Sequence, residues 1–142
     1  MNHKDTKDTK EHKERTEEKK RADELSGRII GAAIEVHRLL GPGLLESAYE
    51  ECFARELQVQ RIPCARQVPI PVEYKGTRVE AGYRLDFLVD ALVIVEVKAV
   101  ERIEPIHKAQ LLTYLRLTGL WLGLLVNFHS AVLKNGIVRL VN

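Results

Sequence analysis

The stretch that decides the fold of this chain is Tyr83-Arg-Leu-Asp86-Phe-Leu-Val-Asp-Ala-Leu-Val-Ile-Val-Glu96-Val-Lys98-Ala. Its two apolar runs are separated by a short turn, which predicts two β-strands joined as a hairpin. Asp86, Glu96 and Lys98 interrupt these runs. Apolar strands of this kind are normally buried, and a buried charge is costly unless it is paired or bound to a metal ion. The three charged residues therefore mark a candidate site.

The length of the hairpin loop decides whether the two acids can face each other. Side chains alternate between the two faces of a strand, so Glu96 and Lys98 share a face. A two-residue turn beginning at Asp90 would place Asp86 opposite Val95. A loop of three residues would place Asp86 directly opposite Glu96, because a slip of one residue exchanges the faces of a strand. A shared site for the two acids thus requires an odd loop or a bulge.

Two interpretations fit charged residues on one face of a buried hairpin. The simpler is an internal ion pair of Glu96 with Lys98 that has no function. In the other, opposed carboxylates, with Cβ atoms about 4.5–5.5 Å apart, need a cation between them, and Mg²⁺ prefers carboxylate oxygens. A water bound to such a metal can become a nucleophile, and Lys98 can stabilise the negative charge that develops on a phosphoryl group. This interpretation predicts a Mg²⁺ or Mn²⁺ site formed by Asp86 and Glu96.

Polar residues on two predicted helices extend the candidate site. Gln110 and Tyr114 are four apart and share a helix face, so they either contact nucleic acid near the metal or form the margin of the core. Glu46 lies near the start of another helix, where it is either a further acid near the metal or a surface residue favoured by the helix dipole. Arg84 is two residues from Asp86 and would pair with a carboxylate or contact phosphate.

Hydrophobic periodicity predicts one α/β domain over residues 25–142, with a mixed sheet of about five strands flanked by helices. The predicted order is α-α-β-β-β-α-β-β. Prolines place the strand at 68–75 on an edge of the sheet, and the continuous apolar run at 92–100 predicts a central strand. The chain is expected to close as a hairpin around Asn135-Gly136.

Residues 1–24 have a different composition from the rest. They carry eight Lys or Arg and eight Asp or Glu with few apolar side chains, so they cannot bury enough surface to offset their ordering entropy. The segment is expected to be a disordered tail or a frayed, solvated helix. Because its charges cancel, it does not resemble a basic arm that grips DNA.

The composition favours a cytoplasmic protein. No run approaches the roughly 20 apolar residues of a membrane span, and the N-terminus lacks the apolar segment of a signal peptide. Cys52 and Cys64 have no metal-type neighbours and are expected to be reduced thiols. The net charge of +2 gives little support by itself to a nucleic-acid partner.

Several separated motifs resemble one known family. They are Ile30-Gly-Ala-Ala-Ile-Glu-Val-His37, Gly41-Pro-Gly, Gly43-Leu-Leu-Glu46-Ser-Ala-Tyr49, Gln67-Val-Pro-Ile-Pro, Arg84-x-Asp86, Val95-Glu-Val-Lys-Ala99, Gln110-x-x-x-Tyr114 and Leu124-Leu-Val-Asn-Phe128. In this order they resemble the GxxExxY proteins, small members of the PD-(D/E)xK nuclease superfamily. The resemblance spans about residues 25–142.

The resemblance implies a restriction-endonuclease-like core, a mixed sheet flanked by helices. It also implies that Asp86 and Glu96 are metal ligands and that Lys98 is the catalytic lysine. Gln110 and Tyr114 match the Q-x-x-x-Y motif of RecB-type exonuclease relatives, and Glu46 matches a helical glutamate near such metal sites.

The leading functional hypothesis is a nuclease that hydrolyses DNA with Mg²⁺ or Mn²⁺. An alternative is a non-catalytic module on the same fold that binds nucleic acid or protein. A third is self-association into a homo-oligomer, through the proline-marked edge strand or the closing hairpin.

Overall fold

Three α-helices and a five-stranded sheet make up the part of the chain that the computed structural model describes, which is the backbone of residues 3–142 and the side chains of residues 7–142. The elements are α1 (His3–Leu40), α2 (Glu46–Val59), β1 (Cys64–Tyr74), β2 (Thr77–Val89), β3 (Val93–Lys98), α3 (Pro105–Thr118), β4 (Leu122–Asn127), a 3₁₀ turn (Leu133–Gly136) and β5 (Ile137–Val141). This order confirms the predicted α/β class.

The five strands follow the chain order across the sheet, from β1 to β5. Pairing is antiparallel except between β3 and β4, which are parallel and connected through α3. A parallel pair requires such a crossover, because a tight turn can join only antiparallel strands. The predictions of an edge position for β1 and of a central position for β3 are both confirmed.

Different helices cover the two faces of the sheet. On one face, α1 and α2 cover alternate residues of β3, including Val93, Val95 and Val97. On the other face, α3 packs on Ile94 and its neighbours. Glu96 has the same strand parity as Ile94, so it belongs to the α3 face of a strand that is buried on both sides.

The described part of the charged N-terminal segment, from His3 onward, forms the first half of α1. Its side chains are exposed from Lys7 to Arg21, and Ala22 is the first buried side chain of those described in α1. Lys19 lies 5.7 Å from the ring centre of Trp121, so this half of the helix reaches the sheet domain. Residues 1 and 2 of the predicted tail lie outside the described residues, and the division of the chain at residue 24 stays a prediction. No helix among the described residues is long and apolar enough to cross a membrane.

The predicted closing hairpin around Asn135 and Gly136 is wrong. These residues end a 3₁₀ turn, and β5 pairs with β4 instead of with the residues just before it. The local preference of Asn-Gly for a tight turn does not decide the structure here. Leu133 is buried in the core that α1 and α2 cover, and β5 pairs with β4. An Asn-Gly pair favours a hairpin only when both flanks are strands.

A single tyrosine fixes the connection between α1 and α2. The Tyr49 hydroxyl donates a hydrogen bond to the carbonyl of Gly41 and accepts one from the amide of Leu44 at 3.1 Å. Its ring stacks on Phe128 with 4.8 Å between ring centres. Gly43 has φ +105°, a conformation that favours glycine. Together these contacts determine where α2 begins.

We expect Tyr49→Phe to lower the free energy of unfolding by about 1–3 kcal/mol, because it removes two part-buried hydrogen bonds, to the carbonyl of Gly41 and from the amide of Leu44. Tyr74→Phe is the matched control, since Tyr74 is 63% exposed on β1. Urea denaturation would measure both. A loss for Tyr49→Phe no larger than that for the control would contradict this role.

Candidate metal centre

The hairpin between β2 and β3 has the odd loop that a shared acid site requires. β2 ends at Val89 and β3 begins at Val93, so three residues connect them. Asp90 and the next residue have φ of 50° and 55°, and the amide of Leu92 donates to the carbonyl of Val89 at 2.9 Å. With Leu92 as the third loop residue, Val93 lies directly opposite Val89.

This loop places the two acids opposite each other. The ladder of β2 with β3 ends where Phe87 pairs with Val95, and the same register sets Asp86 against Glu96. Beyond the ladder, the hydrogen bonds between the two strands run from backbone amides to side-chain carboxylates. The amide of Asp86 donates to Glu96 Oε2 at 2.7 Å, and the amide of Val97 donates to Asp86 Oδ2 at 2.9 Å. We call this arrangement the carboxylate fork.

Burial in the fork disfavours negative charge. Glu96 is 4% exposed, and this burial, followed by the charge of Asp86, raises its pKa to about 8. Burial also raises the pKa of Asp86, although its bond from the Val97 amide acts in the opposite direction. The positive charge of Lys98 lowers the pKa of both groups. A cation bound between the two carboxylates would stabilise their ionised forms and so lower both pKa values.

Lys98 lies on the same face as Glu96, at the end of β3. It is half-buried and forms no ion pair within 4.0 Å with the described residues, so the structure does not show the simple Glu96–Lys98 pair. Strand β4 supports the end of β3 that carries Lys98. Asn127 pairs with Lys98, and its amide group bonds both the amide and the carbonyl of Val100 at 3.0 and 2.8 Å.

Sequence reasoning gave Asn127 no role. Its signal was nevertheless visible, because it is the one polar side chain in the apolar run from Leu122 to Phe128. A buried amide in such a run must find partners, and here those partners hold the chain just after Lys98.

Helix α2 brings two acids towards the fork. Glu46 is exposed at the first position of the helix, and its charge contributes to raising the pKa of Asp86. Glu50, one turn later, has a side chain that is only 17% exposed and raises the pKa of both Asp86 and Glu96. It accepts a hydrogen bond from Gln67 at 2.7 Å. Glu50 is therefore the stronger electrostatic neighbour, one that sequence reasoning did not select despite its i, i+4 spacing from Glu46.

Helix α3 contributes the predicted polar pair. Tyr114 is buried, and this burial, followed by the charges of Glu96 and Asp86, raises its pKa to about 12. A hydrogen bond with Gln110 acts in the opposite direction. Both residues therefore lie on the fork side of the sheet. Arg84 is exposed on β2 and forms no ion pair with the described residues.

Comparison with known proteins agrees with this architecture. A family model described as the PD-(D/E)XK nuclease superfamily matches residues 23–140. The chain belongs to the PD-(D/E)XK nuclease superfamily. No curated protein and no solved structure matches the chain. Membership supports nuclease activity on nucleic acid, and proteins of the superfamily generally use divalent metals.

The two carboxylates of the fork are suitable ligands for a divalent metal ion of the kind that the superfamily generally uses. Among the side chains of residues 7–142, no group of three His, Cys, Asp or Glu is placed to hold one ion, so Glu46 does not complete such a group with Asp86 and Glu96. Two carboxylates suffice for Mg²⁺, which keeps several waters and is usually bound through one or two carboxylates with substrate phosphates.

The pKa of Glu96 predicts how stability changes with pH in a chelating buffer. In the unfolded chain Glu96 ionises at its ordinary pKa of 4.5, but in the folded protein it keeps its proton up to about pH 8. Between these values the folded state binds more protons, so the free energy of unfolding falls as the pH rises.

We expect Glu96→Gln to remove most of the loss that wild type shows between pH 5 and pH 8 in urea denaturation. Glu73→Gln, at an exposed position on β1, is the control and should behave as wild type. A Glu96→Gln protein that loses as much stability as wild type over this range would contradict the assignment.

Proposed function

We propose that the protein hydrolyses phosphodiester bonds of nucleic acid, and specifically of DNA, in a reaction that depends on Mg²⁺ or Mn²⁺. The observation that carries this proposal is the carboxylate fork, in which Asp86 and Glu96 exchange hydrogen bonds at 2.7 and 2.9 Å with the opposing strands. Lys98 on the same face adds the positive charge that such a reaction uses.

Asp86 and Glu96 would hold the divalent ion through their carboxylate oxygens. A bound ion of this kind lowers the pKa of its water and stabilises charge on a phosphoryl oxygen. Lys98 forms no ion pair with another residue of the described part of the chain, and its ammonium group would stabilise the negative charge that develops on the phosphoryl group. Asn127 positions Lys98 by fixing the following backbone at Val100.

Residues around the fork would bind the substrate. The exposed guanidinium of Arg84 suits a phosphate, because arginine donates paired hydrogen bonds to phosphate oxygens. Gln110 and Tyr114 offer an amide and a hydroxyl beside the reacting bond. Glu46 and Glu50 have an electrostatic role in this proposal, since their negative charge favours a cation at the fork.

Membership of the GxxExxY family within the superfamily is part of the proposal, supported by Gly43, Glu46 and Tyr49. The structure gives two of these residues a local explanation, because Gly43 has a positive φ and Tyr49 fixes the loop. A cytoplasmic location is also proposed, and the free cysteines Cys52 and Cys64 are consistent with a reducing compartment.

Hydrolysis of single- and double-stranded DNA with Mg²⁺ or Mn²⁺ tests the proposal. We expect Asp86→Asn to reduce the rate to the background of the preparation and Lys98→Met to reduce it roughly 10²–10³-fold. Asp90→Asn is the matched control, since Asp90 is an exposed acid in the same hairpin and asparagine tolerates its positive φ.

Equal hydrolysis by wild type, Asp86→Asn and Lys98→Met would identify a contaminant and exclude the assignment. If the protein binds DNA but no metal supports hydrolysis, the alternative of a non-catalytic module would replace the proposed enzyme.

Metal binding can be tested separately from activity. Mn²⁺ should raise the Tm of wild type more at pH 8 than at pH 6, because the ligands must lose their protons to bind. Asp86→Asn should abolish this shift and Asp90→Asn should keep it. The same shift in all three proteins would place the metal elsewhere.

A further inference from the structure

A cavity of about 500 Å³ lies between α3 and the ribbon formed by β1 and β2. From β2 it is lined by Tyr83, and from α3 by Gln110, Tyr114 and Ile106, among others. Its size is within the range of small-ligand pockets. Gln110 and Tyr114 belong to the proposed catalytic surroundings, but Tyr83 and Ile106 have no assigned role.

The cavity lies beside the carboxylate fork. Tyr114 belongs to both, because its ring lines the cavity while the charges of Glu96 and Asp86 raise the pKa of its hydroxyl. Tyr83 is three residues before Asp86 on the same strand. A group bound in the cavity would therefore lie next to the bond that the fork is proposed to cleave.

The walls have the chemistry of a site for a flat, uncharged group with polar edges. Tyr83 and Tyr114 meet edge to face, with 6.3 Å between ring centres. Ile106 is 71% exposed and Tyr83 is 45% exposed, so apolar surface remains open to an incoming group. Gln110 supplies both a donor and an acceptor.

The distribution of charge around the cavity favours a base over a phosphate as the group that binds there. None of the residues that line the cavity is Lys, Arg, Asp or Glu, so the cavity does not suit a phosphate. Two exposed cationic residues adjoin lining residues in the sequence but do not line the cavity themselves. Arg84 follows Tyr83 and Lys108 follows His107, and both are exposed. A lining without these charged residues suits a base that enters the cavity while its flanking phosphates remain outside.

We propose that this cavity binds an unpaired nucleobase of the substrate strand, stacked against Tyr83, and that the enzyme therefore prefers single-stranded nucleic acid. The inference rests on the proposed function, since it places the base next to the fork. Bases within a duplex are stacked and paired, so only an unpaired or extruded base can enter such a pocket. Stacking on an aromatic side chain tolerates any base sequence.

Binding in a chelating buffer tests the inference without hydrolysis. The probes are a short single-stranded DNA that contains 2-aminopurine, an RNA of the same sequence and the corresponding DNA duplex. We expect wild type to bind both single strands more tightly than the duplex and to quench the 2-aminopurine fluorescence. Equal binding of the single strand and the duplex, or no detectable binding of either single strand, would overturn the proposal.

Variants of the cavity identify the stacking partner. Tyr83→Ala should weaken single-strand binding roughly 5- to 150-fold and abolish the quenching, whereas Tyr83→Phe should bind as wild type. Tyr74→Ala is the control, because Tyr74 is an exposed tyrosine of the same ribbon that does not line the cavity. Loss of binding in Tyr74→Ala equal to that in Tyr83→Ala would exclude a specific stacking site.

A second pair of variants provides a test that does not rely on Tyr83. Ile106→Asp places a negative charge at the mouth of the cavity and should weaken binding, whereas Val132→Asp adds the same charge at an exposed apolar position that does not line the cavity. Equal effects of the two variants would contradict the inference. Binding that depends on Tyr83, without any metal-supported hydrolysis that depends on Asp86, would exclude the proposed enzyme and keep the base site. Hydrolysis that depends on Asp86, without any effect of Tyr83→Ala on binding, would exclude only the base site.

Discussion

Two hydrogen bonds between β2 and β3 are the interaction on which the rest of the site depends. The Glu96 carboxylate accepts from the amide of Asp86, and the Asp86 carboxylate accepts from the amide of Val97. The backbone ladder between β2 and β3 stops at Phe87, and beyond it these two carboxylates are the acceptors that join the strands. Such bonds stabilise negative oxygens, while burial opposes the charge. The fork is therefore a pair of acids whose carboxylates each accept from a backbone amide, and a cation stabilises it most when both are ionised.

The surrounding structure holds this pair in place from three sides. β3 is buried on both faces and cannot shift without exposing its valines. Asn127 on β4 fixes the backbone after Lys98, and Tyr49 sets the start of the helix that carries Glu46 and Glu50. The site is thus built on strands and helices, which position functional groups more accurately than loops do.

Much of this arrangement could be predicted from the sequence because the signals are local. Alternation and apolar runs gave the order of the elements, and the prolines of β1 gave its edge position. The odd hairpin loop followed from requiring that Asp86 and Glu96 share a face. The prediction of an Asn-Gly hairpin was wrong because β5 pairs with β4, and local turn chemistry carries no information about that partner.

Long-range contacts account for what the sequence did not reveal. The influence of Glu50 on the fork depends on how α2 packs beside the hairpin, and the cavity at Tyr83 forms only when the ribbon meets α3. Periodicity identifies which face of an element is buried, but it does not identify which side chains of two elements meet.

Crystals of the protein soaked in MnCl₂ and measured at the manganese absorption edge would test the central claim most directly. The account predicts an anomalous peak within coordinating distance of carboxylate oxygens from both Asp86 and Glu96. An empty fork with both hydrogen bonds intact, or a peak bound only by other residues, would contradict it.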